Sequence, residues 1–95
     1  MSVAFVLEVP GMETEIYDRV MENMNWSRET WPSGCQCHYA AKTPDGLFIF
    51  DVWDSAEDWH RFADERLGPA LAEATGGQVP QMEPSFYPLH REERA

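Results

Sequence analysis

Basic side chains are scarce in this sequence: 7 Lys and Arg stand against 17 Asp and Glu, for a net charge of −10. With no cluster of cations to follow a phosphate backbone, nucleic acid is not an expected partner, and the same balance argues against an anionic membrane surface. Long apolar runs are missing as well. The longest, Val3 to Leu7, falls far short of the roughly 20 residues that span a bilayer, and Glu8 interrupts it with no basic region before it, so neither a membrane segment nor a targeting segment is expected. Cysteine is limited to Cys35 and Cys37. Two residues apart on a strand, they are expected to share a face, where a disulfide is strained. A lone C-x-C offers too few ligands for zinc, so two reduced thiols, no metal and a cytoplasmic location are expected.

Aromatic residues are plentiful: 5 Phe, 4 Trp and 3 Tyr in 95 residues. One domain over residues 1–95 is expected. A core of that size buries only about 60 to 65% of the unfolded surface, so the surplus of large side chains is more easily covered if two copies share an interface, and a homodimer is expected.

The chain is organised around Gly46 to Trp59. Leu47 to Trp53 is apolar on both alternating faces except at Asp51, the pattern of a central strand covered on both sides. Ser55 with Asp58 three residues on resembles a capping box, which starts a helix almost without a loop. Before this stretch, Val3 to Val9 reads as a strand stopped by Pro10-Gly11. Ile16, Tyr17, Val20, Met21 and Met24 then recur at helical spacing, and the methionines read as core filler. Trp26 and Trp31 fall in the connection that ends at Pro32-Ser33-Gly34. They either cap the core or rim a small-molecule pocket.

Cys35 to Lys42 alternates as a second strand, and Thr43-Pro44-Asp45-Gly46 closes a hairpin onto Leu47 to Trp53. A four-residue loop sets His38 opposite Asp51, and a two-residue loop sets Ala40 there; either way His38, Asp51 and Trp53 share a face. After Ser55 the apolar side of a helix runs through Ala56, Trp59, Phe62, Ala63 and Leu67. Gly68-Pro69 is expected to interrupt it, a short helix Ala70 to Thr75 follows, and Gly76-Gly77 ends that. Gln81 to Arg91, with Pro84 and Pro88, is expected at a sheet edge. The order strand, helix, strand, strand, helix, strand is that of the ferredoxin-like α+β fold, βαββαβ, with a four-stranded antiparallel sheet and both helices on one face.

Pro10-Gly11-Met12, Pro44-Asp45-Gly46, Asp51-Val52-Trp53-Asp54-Ser55 and Arg66-Leu67-Gly68-Pro69-Ala70-Leu71 resemble the antibiotic biosynthesis monooxygenase-like family over almost the whole chain. The resemblance implies the dimeric α+β barrel. It also implies a place in secondary metabolism and an activity among cofactor-free oxygenases, cyclases or isomerases, with no cofactor expected. The Asn and Trp pair of the quinone-forming branch has no counterpart, since Asn23 and Asn25 fall in the first helix, and the haem-degrading pattern lacks its first-strand Asn.

On chemical grounds His38 and Asp51 are the candidate catalytic pair. A carboxylate holding one imidazole nitrogen fixes the tautomer and raises the basicity of the other, giving a general base near neutral pH. Trp53, with Trp26, Trp31 and His90, is the candidate substrate-binding set, and His60 reads as an exposed helical residue. Three classes follow. An enzyme on a hydrophobic aromatic or polyketide-like substrate predicts a closed pocket of several hundred Å3 around the pair; a haem or other cofactor binder predicts an open cleft with a free His and basic groups for the propionates, against which the acidic composition argues; and a non-catalytic dimeric module predicts a filled core with His38 and Asp51 fully hydrogen-bonded.

Overall fold

The computed structural model describes residues 2–80 and 82–95. Its strands are β1 (Val3–Pro10), β2 (Cys35–Lys42), β3 (Gly46–Trp53) and β4 (Ser85–Pro88). They form one antiparallel sheet in the order β2-β3-β1-β4. This is the α+β, ferredoxin-like arrangement: sequential hairpin strands at one side and the first strand in the middle.

The helices cover one face. The first, α1 (Thr14–Asn23), turns its Val20 and Met24 side inward. The second begins as α2 (Ala56–Phe62), where the Ser55 hydroxyl accepts the Asp58 amide at 3.2 Å, satisfying one of the donors a helix start leaves open. It does not break at Gly68-Pro69. A π-helical turn, Ala63–Leu67, carries it directly into α3 (Gly68–Thr75), with the Gly68 N–H reaching back to the Ala63 carbonyl. Pro69 has no N–H and sits in the first turn of α3, where a helix tolerates that loss, while the wider turn before it absorbs the ring. Trp59, Phe62, Leu67, Leu71 and Ala74 therefore stay on the core side along one continuous helix. Gly76, in the left-handed conformation, ends it.

Core packing falls into two groups. Phe5, Leu7, Val9, Cys35, Trp53 and Trp59 lie between the sheet and α2, with the Phe5 and Trp59 rings 5.0 Å apart; Val20, Met24, Ala70, Leu71 and Ala74 join α1 to α3.

The hairpin uses the four-residue turn Thr43 to Gly46. Thr43 N–H donates to the Gly46 carbonyl at 2.8 Å, and Gly46 N–H reaches the Thr43 hydroxyl at 2.9 Å. Only glycine fits at 46, because a Cβ there collides with the Val9 carbonyl and the Gly11 amide of the neighbouring strand end.

Two strand expectations are corrected. Cys35 pairs with Trp53 but Cys37 pairs with Val52, so Gln36 is an extra residue in a β-bulge and the two cysteines point to opposite faces. The Gln36 amide explains the kink, donating to Ser2 Oγ at 2.7 Å and Asp54 Oδ1 at 2.8 Å. The edge strand is also shorter than Gln81 to Arg91: only Ser85–Pro88 pairs with β1, since Pro84 and Pro88 bound the segment that can donate to the ladder. Gln81 itself lies outside the described residues.

Among the described residues no helix is long and apolar enough to cross a membrane.

Candidate functional site

Asp51 is the one buried charged residue among those described, 4% exposed in the middle of β3. A carboxylate there is costly unless its oxygens are hydrogen-bonded. Both are. The hairpin register sets His38 directly opposite, and His38 Nδ1 lies 2.7 Å from Asp51 Oδ1; two residues along the same strand face, Trp53 Nε1–H donates to Asp51 Oδ2 at 3.0 Å. From α1, the Tyr17 hydroxyl lies 2.6 Å from His38 Nε2, its ring stacked within 6° of the imidazole plane.

The protons can be assigned from these partners. The Trp53 N–H can only donate, which fits an ionised Asp51. Burial, and after it the negative charges of Asp51 and Asp18, push the Tyr17 phenol up to about 12, so it keeps its proton at neutral pH. Both contacts of His38 are satisfied when Tyr17 O–H donates to Nε2 and Nδ1–H donates to Asp51. The result is a directional chain, Tyr17 to His38 to Asp51, with Trp53 holding the far oxygen.

One end of this chain meets empty space. A cavity of about 60 Å3 lies between helices and sheet, bordered by Tyr17, His38 and Asp51 and otherwise by apolar groups such as Met21, Met24, Trp26 and Phe62. It is far smaller than the several hundred Å3 expected of an aromatic substrate pocket, because methionine side chains from α1 and the rings of Trp26 and Phe62 occupy that volume. Methionine and a loop tryptophan are the parts of such a wall that yield most easily.

The remaining candidates are distributed unevenly. Trp26 borders the cavity, its ring 5.3 Å from that of His38 and 5.1 Å from Trp31. Trp31 is 40% exposed, with its N–H on the Cys35 carbonyl at 2.5 Å, so it stands behind Trp26 at the surface. Trp53 is fully buried and borders no open space there; it braces the carboxylate instead of forming a wall. His90 is exposed beyond β4 and borders neither the cavity nor the groove around Trp31, and His60 is exposed on α2.

Tyr17 is the site residue that the sequence reading takes only as part of the helix stripe. Its signal is a hydroxyl on an otherwise apolar face, which needs a partner once buried. Arg66 is a second such residue. It donates to the carbonyls of Thr30 at 2.6 Å and Met24 at 3.0 Å, tying the Trp26 loop to the π turn. Among the described residues no group of three or more His, Cys, Asp and Glu is placed to hold a metal ion.

No family model and no curated protein matches the sequence. Similarity emerges in the fold. SnoaB from Streptomyces nogalater, a cofactor-independent oxygenase, here as its N63A mutant, superposes with a TM-score of 0.63 at 12% identity, covering 96% of this chain and 95% of its own. Rv0793 from Mycobacterium tuberculosis gives 0.63 at 11% identity over 99% and 100%, and a candidate antibiotic biosynthesis monooxygenase from Chloroflexus aurantiacus gives 0.63 at 16% over 98% of each. Over nearly its whole length the chain thus has the fold of antibiotic biosynthesis monooxygenase structures.

Proposed function

We propose that the protein is a small-molecule enzyme of the cofactor-independent oxygenase or cyclase type, acting on a hydrophobic aromatic or polyketide-like substrate through the Tyr17–His38–Asp51 chain. The observation that carries this reading is the hydrogen-bonded relay ending at a cavity. An acidic O–H or C–H of the substrate gives its proton to the Tyr17 oxygen as the Tyr17 proton passes to His38 Nε2. The imidazolium so formed keeps its Nδ1–H on Asp51, whose charge stabilises it, and the substrate is left as an anion ready for oxygenation or ring closure. Passing through Tyr17 avoids a free phenolate, which the site disfavours. SnoaB is a cofactor-independent oxygenase of the same fold, which supports the reaction class but not the residues.

A homodimer in the cytoplasm completes the proposal. On the sheet face away from the helices Phe48 and Phe50 are only half-buried, apolar area that a second copy would cover, and two free thiols suit a reducing compartment.

A second reading has its own support: both nitrogens of His38 and both oxygens of Asp51 are engaged, which also suits a non-catalytic module whose polar network fixes strand register. Turnover separates the two. With anthrone as probe, deprotonation followed by absorbance is expected to fall about 100-fold or more in His38→Ala and Tyr17→Phe, with the melting temperature of Tyr17→Phe lowered by only about 4 to 8 °C. Unaltered rates in both variants, alongside a lowered melting temperature for His38→Ala, would leave the structural reading.

A further inference from the structure

Trp26 and His38 border both the enclosed cavity and an open groove between the Trp26 loop and strand β2, so together they separate the relay from the surface. The two are held differently. His38 stands on a strand with a hydrogen bond at each ring nitrogen. Trp26 stands on a loop, and among the described residues its ring is held by packing, 5.3 Å from His38, 5.1 Å from Trp31 and 6.0 Å from Phe62. Trp26 is the half of the partition that can move.

The restraint on that loop comes from the second helix. α1 has no basic residue in its last turn, so the Met24 carbonyl lies at the negative end of a helix that carries no cation of its own there. Arg66, in the π turn, supplies one. One guanidinium nitrogen donates to the Met24 carbonyl at 3.0 Å and the other to the Thr30 carbonyl at 2.6 Å, the two ends of the loop that carries Trp26. Other bonds of the loop are local, such as Ser27 N–H to the Thr30 hydroxyl at 2.9 Å and Trp26 N–H to the Met21 carbonyl at 3.1 Å. The guanidinium also lies 5.7 Å from the centre of the Phe62 ring, which meets the Trp26 ring at 79°. A planar fork can hold two fixed acceptors at once, which an ammonium group cannot.

From this arrangement we propose that Arg66 is a positioning residue for the proton relay: it clamps the Trp26 loop over the cavity, and release of the clamp is the step that admits substrate. The idea rests on the relay reading above and supplies its gate. Closed, the Trp26 ring keeps water from the Tyr17 hydroxyl and His38 during proton transfer. Open, the groove and the cavity join, giving the room that the closed cavity of about 60 Å3 lacks. Because substrate enters only the open form, the clamp weakens apparent affinity in proportion to the fraction of closed molecules. An arginine that served stability alone would leave the affinity of the folded protein unchanged.

The test reads loop and reaction separately in the unaltered chain, Arg66→Ala, Arg66→Lys and Tyr17→Phe. Amide hydrogen exchange followed by NMR reports the loop. In the unaltered chain the Asn25 and Trp26 amides should exchange through a local opening, at a rate that low urea leaves unchanged, and Arg66→Ala should speed it about tenfold or more. Arg66→Lys, which serves one carbonyl at a time, should fall between the two, and it carries the test alone if Arg66→Ala does not fold. Anthrone turnover reports the gate: Arg66→Ala should lower KM at least about threefold and kcat at least about fivefold, because the open form binds more readily and reacts less well. Exchange at Asn25 and Trp26 that follows urea as the β1–β3 ladder does, exchange unaltered in both Arg66 variants, or a lowered kcat with KM unchanged or raised would overturn the clamp. Tyr17→Phe should lose turnover while its loop exchanges as in the unaltered chain. Intact turnover in Tyr17→Phe would remove the relay even where exchange and the KM shift uphold the clamp.

Discussion

The two faces of the sheet are made from alternate residues of the same strands, yet they differ in what they hold. On the helix side Phe5, Leu7, Val9, Leu47 and Trp53 are at most 4% exposed, and that same face holds the one buried charge, Asp51. On the other side Val6, Phe48 and Phe50 are only half-buried, and Tyr39 and Tyr87 are 65% and 57% exposed. The face with the carboxylate is the dry one. Burial here follows the covering layer rather than the polarity of the strand, and the charge is tolerated because donors from β2 and β3 meet its oxygens. On the other face Val52 is also buried, but Val6, Phe48, Phe50, Tyr39 and Tyr87 keep apolar area exposed, the condition that a second copy would relieve.

The largest contrast should appear in stability. Phe5 is 1% exposed and packed against the Trp59 ring and the edge-on Phe86 ring, so Phe5→Ala should cost about 3 to 5 kcal/mol in urea unfolding. Phe50→Ala, across the sheet, should cost about 1 kcal/mol in the dissociated chain, a typical value for a point substitution. Equal losses would break the distinction between a covered and an uncovered face. The next effect is on association: Phe50→Glu places a charge on the open face, and sedimentation equilibrium should show monomer where the unaltered chain is expected to give the proposed dimer, with the far-ultraviolet circular dichroism unchanged. A dimer that survives this change would mean the second copy sits elsewhere.

How much of this was legible follows the same division. The succession of elements, α1, the Ser55 cap and the shared face of His38, Asp51 and Trp53 can all be read from periodicity and turn residues, whereas which residue stands opposite Asp51 depends on the loop length that the structure gives. The continuous second helix was not legible, because a proline after a glycine normally marks a break and only the π turn accommodates it here. Nor was the bulge at Gln36, whose side chain bonds Ser2 just before β1 and Asp54 just after β3. Within the site, Tyr17 and the bracing role of Trp53 required knowing how α1 lies on the sheet. The cavity's size required the packing of methionines that a pattern counts as interchangeable.

A smaller effect sharpens the comparison within the covered face. Tyr17→Phe removes one donor from His38 and should cost about 1 kcal/mol at neutral pH. Its clearer signature is at alkaline pH. Burial first, with the charge of Asp51 adding to it, raises both Tyr17 and Cys35 to about 12, from ordinary values of 10.0 and 9.0. A raised folded pKa means the native state keeps protons that the unfolded chain releases. The stability from Cys35 is therefore whole below pH 9 and that from Tyr17 below pH 10, and both drain away as pH rises toward 12. Urea midpoints measured from pH 8 to 12 should fall less steeply above pH 10 in Tyr17→Phe. Parallel curves for the two chains would show the phenol to be solvated.

The mildest test leaves stability alone and reads the two cysteines. Cys35 packs with Phe5, Trp53 and Trp59 on the covered face, 7% exposed, and its thiol is held in the protonated, unreactive form. Cys37 is half-buried, pairs with Val52 and borders the open groove. Ellman's reagent at pH 8, applied to the Phe50→Glu chain so that no partner shields the open face, should modify one thiol quickly and the other only on the addition of urea. Mass spectrometry should place the fast adduct on Cys37. Because residues i and i+2 of a regular strand share a face, equal rates at the two sites would mean that Gln36 is not bulged and that β2 runs straight into its pairing with Trp53.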